Sequence, residues 1–492
     1  MKRYFKLIFV SLIVFLFLPI LVVNADEWGQ KKDFFIDPSF DIFQREKLAA
    51  TLQARSLKLY FYIDDSWWNT LNGSQQDETR KSINSLTTEF ENKIYSVLTS
   101  TFGSEDKPGI DKDERITILI HQMKKEAGGY FRNSDSYSRI EAPDSNEIEM
   151  VYLNTEYLNV PRAPSLLAHE FMHLITINQK EKKYGVKEEV WLNEARSEYA
   201  PTLLGYDEEY KNSNLENRVK TFLSDSGNSL TDWRNEAGDY GVVNLFTQYL
   251  VDQYGLEILV DSLHSSKFGI TSLDYALEKN GLKDDFSQVF TNWTIANLIN
   301  NCSIGEKYCY KNKNLKTLKI VPLTNYLPLI GEISLKFGNA TQPWSANWQR
   351  FIGGGGKLTL QFEGSSDVIF RVPYFVENNL GEGEVKLLEL DKNQKGNLIL
   401  SDFGKEITSL TIIPTIQSKN KKIDDTEPYF LFSWTTSITK ENQNSENPSE
   451  KPISEMTKEE LEAKIIEVQK KIIEILTQLI RIYQAKIIEL TG

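Results

Sequence analysis

The sequence predicts an α+β fold: a mixed sheet with a helical part, then a β-sandwich and a C-terminal amphipathic helix. Three patterns carry that reading. Strand-like runs such as LKLYFYI and RITILI share the first 155 residues with one long amphipathic run, QDETRKSINSLTTEFENKIYSVLTSTF. Residues 156–312 are mainly helical in periodicity. From 316 to 438 come short alternating or β-branched runs (KLTLQFEG, DVIFRVPYF, VKLLEL, NLILSD, LTIIPTI), broken by Gly, Asn and Asp turns.

In chain order, residues 1–25 read as a secretory signal peptide. Lys2, Arg3 and Lys6 precede an apolar run from Leu7 to Val23, and Val23-Asn24-Ala25 places small residues at a cleavage site. An uncleaved anchor is the alternative, and no cysteine follows the run to carry a lipid. Losing those three cations takes the net charge from −13 to −16, which argues against nucleic acid or an anionic membrane as partner. Residues 26–155 form the N-terminal α+β part and 156–312 the helical part. In an exported chain, Cys302 and Cys309, six residues intervening, are expected to pair as a local disulfide. Asp111, Asp113 and Glu114 lack the ligand periodicity of a calcium loop and read as a turn before a strand. Gly353–Gly356 lacks the G-K-[ST] of a phosphate loop and reads as a turn between strands.

Residues 439–456 are polar, contain two prolines and read as a linker; 457–492 read as one amphipathic, coiled-coil-like helix. There Leu461, Ile465, Val468, Ile472, Ile475, Leu479 and Ile482 recur at spacings of four and three. Ile466, Ile473, Ile480 and Ile487 add a second stripe, while Glu474, Arg481, Lys486 and Glu489 break any bilayer-length span. So wide an apolar face points to a homo-oligomer or a cell-envelope partner, the alternative being a helix folded back on its own domain.

The chemistry-bearing stretch is SLLAHEFMHLITINQ, which holds two of the four histidines. Pro161 and Pro164 punctuate the chain, Ser165 is the expected N-cap, and the run that follows has no helix breaker. On a helix, His169 and His173 share a face and can aim nitrogens at one zinc ion, with Glu170 beside the metal's open position. A catalytic zinc needs a third protein ligand, and EEVWLNEARSEYAPTLLGY offers Glu194 twenty-one residues after His173.

H-E-x-x-H followed at this distance by a glutamate resembles the gluzincin zinc peptidases, and WLNEARSEYA is similar to the W-L-N-E-G motif of their aminopeptidase branch. The segments TFGSEDKPGIDKDERITILIHQMKKEAGGYF, SNEIEMVYLN, SLTDWRNEAGDYGVVNLFTQYLVDQYG and GITSLDYALEKNGLKDDFSQVFTNWTIANLI are most similar to the hyicolysin-type bacterial metallopeptidases, a likeness covering about residues 55–300. The resemblance implies a thermolysin-like two-part peptidase domain holding one Zn2+, with His169, His173 and Glu194 as ligands. It implies Glu198 as the carboxylate that orients a ligand histidine, and Tyr240 as a donor to the reaction's oxyanion. Tyr199 and His264 are weaker candidates for the donor, and the polar surroundings of His264 favour a surface role. Gly128, Gly129 and Tyr130, in AGGYF, resemble the edge strand that holds substrate backbone.

The function so implied is a secreted zinc metalloendopeptidase that hydrolyses protein or peptide substrate with a zinc-activated water and Glu170 as general base. The alternatives are an inactive cell-surface binding or scaffold protein on a peptidase fold, and an aminopeptidase. All three ligands and the base are intact, and no G-A-M-E-N-type motif is present.

Overall fold

The structure is a computed structural model that describes residues 25–327, 334–418, 427–439, 456–462 and 464–465. The expected signal segment, most of the linker and most of the terminal helix lie outside the described residues. The described residues from 25 to 439 form one compact unit, and the few described beyond 455 belong to a second. Among the described residues no helix is long and apolar enough to cross a membrane.

The N-terminal part is built on a six-stranded sheet of β1 (Lys31–Phe35), β2 (Lys47–Arg55), β3 (Leu59–Asp64), β4 (Ile116–His121), β5 (Gly129–Tyr130) and β6 (Met150–Asn154), in the order β1-β2-β3-β4-β6-β5. β3, β4 and β6 run parallel and are buried along their whole length, as strands covered on both faces must be. Alternation divides their side chains. Phe61, Ile63, Ile118, Ile120 and Val151 face a helical core, while Tyr60, Tyr62, Leu119 and Tyr152 pack with Phe34 and Leu48. β5 is an edge, paired antiparallel to β6 on one side only.

Asp65–Trp68 forms the short α1, and Asn72 and Gln75 close a capping box that starts α2 (Gly73–Glu89). A π-helical turn, Phe90–Ile94, joins α2 to α3 (Tyr95–Phe102), so the single amphipathic run of the sequence is two helices with a widened turn between them. The helical part is α4 (Ala163–Thr176), α5 (Val190–Leu203), α6 (Asn214–Ser224), α7 (Ala237–Tyr254), α8 (Glu257–Leu263), α9 (Gly269–Lys279) and α10 (Phe286–Ile299). Ser165 is not the N-cap of α4. The helix begins three residues earlier, with Arg162 at the cap and Pro164 in the first turn, where a missing N–H costs nothing.

A buried ionic knot holds α4 to α5. Past α4 the chain makes another π-helical turn, Ile177–Lys182, and Lys180 Nζ donates to the carbonyls of Ser262 (2.6 Å) and Ser265 (3.0 Å). Glu188, just before α5, accepts from Arg196 Nη1 at 2.8 Å, and Arg196 Nη2 donates to Ser262 Oγ. Burial pushes the Lys180 ammonium down to about 8 despite Glu188.

The C-terminal strands are β7 (Leu323–Leu327), β8 (Ser334–Thr341), β9 (Gln349–Gly353), β10 (Gly356–Gly364), β11 (Phe370–Asn378), β12 (Gly383–Leu388), β13 (Lys395–Phe403), β14 (Ile407–Ile412), β15 (Thr415–Ile416) and β16 (Phe430–Thr439). Their pairings make two layers, β12-β11-β14-β9-β7 and β13-β10-β16-β8, joined at one corner by the pair Phe403–Ile407. The layers face each other: Phe351 packs on Trp434 and Phe370 on Phe432, both with centroids 6.0 Å apart. The loop 342–348 joins this part to the helices, with Trp344 on Phe286 (4.8 Å) and Trp348 Nε1 donating to the Thr294 carbonyl (3.0 Å). Cys302 and Cys309 form the expected disulfide.

Replacing Glu188 by Gln leaves Lys180 and Arg196 buried without a counter-charge, so it is expected to lower the unfolding free energy by about 3–5 kcal/mol. Denaturant unfolding followed by tryptophan fluorescence checks this, and an unchanged midpoint contradicts it.

Candidate metal centre

Helix periodicity brings the candidate ligands together. His169 and His173 lie one turn apart on α4, and Glu194 comes from α5, packed against it. The two Nε2 atoms are 3.2 Å apart. Glu194 straddles them, with Oε2 at 3.3 Å from His169 Nε2 and Oε1 at 3.6 Å from His173 Nε2.

The partners on the far side of each ring settle what these atoms offer. His173 Nδ1 lies 3.1 Å from Asn193 Oδ1, an acceptor, and 3.2 Å from Ser197 Oγ, so Nδ1 carries the hydrogen. His169 Nδ1 faces Glu198 Oε1 at 3.4 Å. Both Nε2 atoms therefore face the Glu194 carboxylate, whose Oε2 is buried. Two imidazoles and a carboxylate meeting around one point form a donor set that a divalent cation would complete. Zinc–ligand distances of 2.0–2.1 Å put tetrahedral ligands about 3.3 Å from one another, so the observed triangle of 3.2, 3.3 and 3.6 Å fits such an ion.

Electrostatics express the same strain. Burial opposes charge on His169, but Glu194 and Glu170 outweigh it and push the imidazole up to about 9. Burial lowers His173. Burial would raise Glu194, yet the two histidines hold it below the ordinary carboxylate range. Glu170 is 5% exposed, and burial followed by the nearby Glu194 and Glu198 raises it to about 8.

Glu198 is anchored from several helices. It accepts from Arg218 Nε at 2.8 Å and Nη2 at 2.6 Å, from Asn214 Nδ2 at 3.0 Å and from Asn244 Nδ2 at 3.1 Å. Although burial would raise it, Arg218 takes it down to about 2, so Glu198 stays a carboxylate facing His169 Nδ1.

The site opens on a cleft of about 470 Å3 lined by Gly128, Gly129, His169, Glu170, Glu198, Arg218 and Tyr240 among others. Gly129 sits close because it must: a Cβ there would fall 2.6 Å from the Tyr152 carbonyl and 3.1 Å from Glu170 Oε1. Tyr130 departs from expectation. Strand alternation turns its side chain into the core, 5% exposed and stacked on Phe40 and Tyr152, so only its backbone stays at the edge. Tyr240 lines the cleft and donates to Asn235 Oδ1 at 2.9 Å. Burial, then Glu194 and Glu198, raise the phenol and keep it protonated. Tyr199 does not line the cleft; it packs against the helical core near Asp252. His264 lies outside the cleft, exposed and bonded through Nε2 to the Phe102 carbonyl. Sequence reasoning missed Asn193, Ser197, Arg218, Asn214, Asn244 and Asn235. Only Asn193 had a signal, its place in WLNEA; the others reach the site through tertiary packing.

These features make a cluster that could hold a metal ion on an α+β fold. The comparisons sharpen that class. Over 287 residues the chain is 29% identical to the neutral metalloprotease ShpI of Staphylococcus hyicus, covering 51% of this chain and 59% of that protein. The likeness to the hyicolysin-type zinc metallopeptidases read from the sequence is thus borne out, and the chain spans about three-fifths of the length of that curated relative. No family model matches. Among solved structures, the Yersinia pseudotuberculosis-derived mitogen gives a TM-score of 0.17 at 9% identity, covering 25% of this chain and 99% of that one. The M60 catalytic domain with two CBM51 domains of Clostridium perfringens ZmpB gives 0.23 at 8% identity, covering 79% of this chain and 60% of that one. At these scores neither carries an argument.

An ion held by His169 would have to displace its proton, and the neighbouring carboxylates raise that imidazole to about 9. Zinc affinity is therefore expected to climb as pH rises through the neutral range and to level off above about 9, as read by chelator competition from pH 6 to 10. A flat profile contradicts the His169 assignment. Glu198→Gln is expected to weaken zinc binding by roughly 10–100-fold in the same assay, since it loosens the ring it orients.

Proposed function

We propose that the protein is an exported zinc metalloendopeptidase. The observation that carries the reading is the convergence of His169 Nε2, His173 Nε2 and the Glu194 carboxylate beside a cleft that His169 and Glu170 line. The similarity to a neutral metalloprotease supports it. His169, His173 and Glu194 would hold the ion, which when bound supplies Lewis acidity and makes a water acidic enough to react near neutral pH.

The chain's own residues do the rest. Substrate backbone adds to the free side of β5, where Gly128 and Gly129 let it lie close to Glu170. Glu170 takes the proton of the attacking water and returns it to the leaving amine. The Tyr240 hydroxyl leaves Asn235 and donates to the developing oxyanion. Asn193, Ser197 and Glu198 hold both rings in the tautomer that leaves Nε2 free. Export and self-association through residues 457–492 rest on sequence pattern alone.

Alanine at His169, His173 or Glu194 is expected to abolish both bound metal and peptide hydrolysis, read by metal analysis and a peptide-library assay. Full zinc content in any of these variants contradicts the ligand set. Glu170→Gln is expected to keep zinc while turnover falls by roughly 10²–10⁴-fold. Tyr240→Phe is expected to raise the barrier by about 3–4 kcal/mol, and a fully active variant removes Tyr240 from the role.

A further inference from the structure

Beyond the metal, the cleft holds a charge that the reaction does not use. Arg162 lines it together with Gly128, Leu166, His169 and Glu170. It is half-buried, and its Nε is buried with no hydrogen-bond acceptor. Its guanidinium makes no ion pair or hydrogen bond with any described residue. The other arginine in the cleft, Arg218, is committed to Glu198. A cation held partly out of water without an anion is costly unless something from outside completes it.

Its position on the helix says where that something would lie. Arg162, Leu166, His169, Glu170 and His173 recur at spacings of three and four and so share one face of α4. At 1.5 Å per residue Arg162 stands about 11 Å before the His169–Glu170 pair along the helix. Leu166, one turn after Arg162, packs against Gly128 at the β5 edge, so this face runs alongside the strand where substrate backbone would add. An extended peptide advances about 3.3 Å per residue, which makes 11 Å a matter of three to four residues.

The geometry points to Arg162 as a specificity-determining subsite: it binds a carboxylate of the substrate three to four residues from the cleaved bond. This rests on the metallopeptidase reading above. The carboxylate is that of an Asp or Glu side chain or of a nearby chain end. A planar guanidinium with free N–H groups suits either and discriminates against the isosteric amide.

The test is a kcat/KM profile of the zinc-loaded full chain. One set of peptides is amidated and carries Asp, Glu, Asn or Gln at each of four positions on either side of the cleaved bond. A second, otherwise neutral, set ends in a free carboxylate at those distances. The expected result is a roughly tenfold preference for the carboxylate at three to four residues. The preference should approach parity in Arg162→Gln and be partly kept in Arg162→Lys, compared at equal zinc content. A response confined to the first set assigns a side chain, and one confined to the second assigns a chain end; both uphold the subsite. No preference, or an equal preference in Arg162→Gln, overturns it. If no peptide is cleaved, the metallopeptidase reading is what fails. The subsite is then judged by binding of the same peptides to Glu170→Gln: tighter binding of carboxylate peptides that is lost with Arg162→Gln upholds it, and equal binding overturns it.

Discussion

Placing carboxylates beside two imidazoles in one enclosed cluster is the constraint from which the helical part of this molecule takes its shape. Glu170 lines the cleft and Glu194 lies against both histidines, while Arg218, also in the cleft, is spent on Glu198. Asn193 and Glu198 present acceptors to the far nitrogens of the two rings, which turns both Nε2 atoms toward Glu194. A divalent cation at that point would take the place of the proton that Glu194 favours on His169.

The surrounding fold reads as the apparatus that keeps this cluster from relaxing. The Lys180–Glu188–Arg196 knot fixes the connection between α4 and α5, so the separation of His173 and Glu194 does not depend on helix packing alone. α6 and α7 contribute Asn214, Arg218 and Asn244 to a single carboxylate, tying the orientation of His169 to three helices. The mixed sheet contributes a free edge at β5, brought against Glu170 because Gly129 has no side chain. The two-layered β part is joined to the helices through Trp344 and Trp348, and among the described residues none of it lines the cleft.

What was legible in the sequence followed periodicity and local motif. The 3.6-residue repeat places His169 and His173 on one face whatever the tertiary structure, and WLNEARSEYA marks Glu194 and Glu198 on one helix. Alternating runs after residue 316 mark strands, though not that Phe403–Ile407 is the strand pairing that joins the two layers. Local rules misled where two of them compete. Ser165 is a good N-cap, but Pro164 is equally good in a first turn, and the helix starts earlier. Tyr130 was grouped with the glycines before it, whereas alternation sends its ring inward. Arg218, Asn214 and Asn244 were not legible, because nothing local marks a residue whose partner lies sixteen to forty-six positions away.

The most direct test of the account is an anomalous-scattering map of crystals of the zinc-loaded protein, recorded on both sides of the zinc absorption edge. The account predicts one peak about 2.0–2.2 Å from His169 Nε2, His173 Nε2 and a Glu194 oxygen, with Glu170 outside the coordination sphere and one position open toward the cleft. A peak elsewhere, or one coordinated by Glu170, would contradict it.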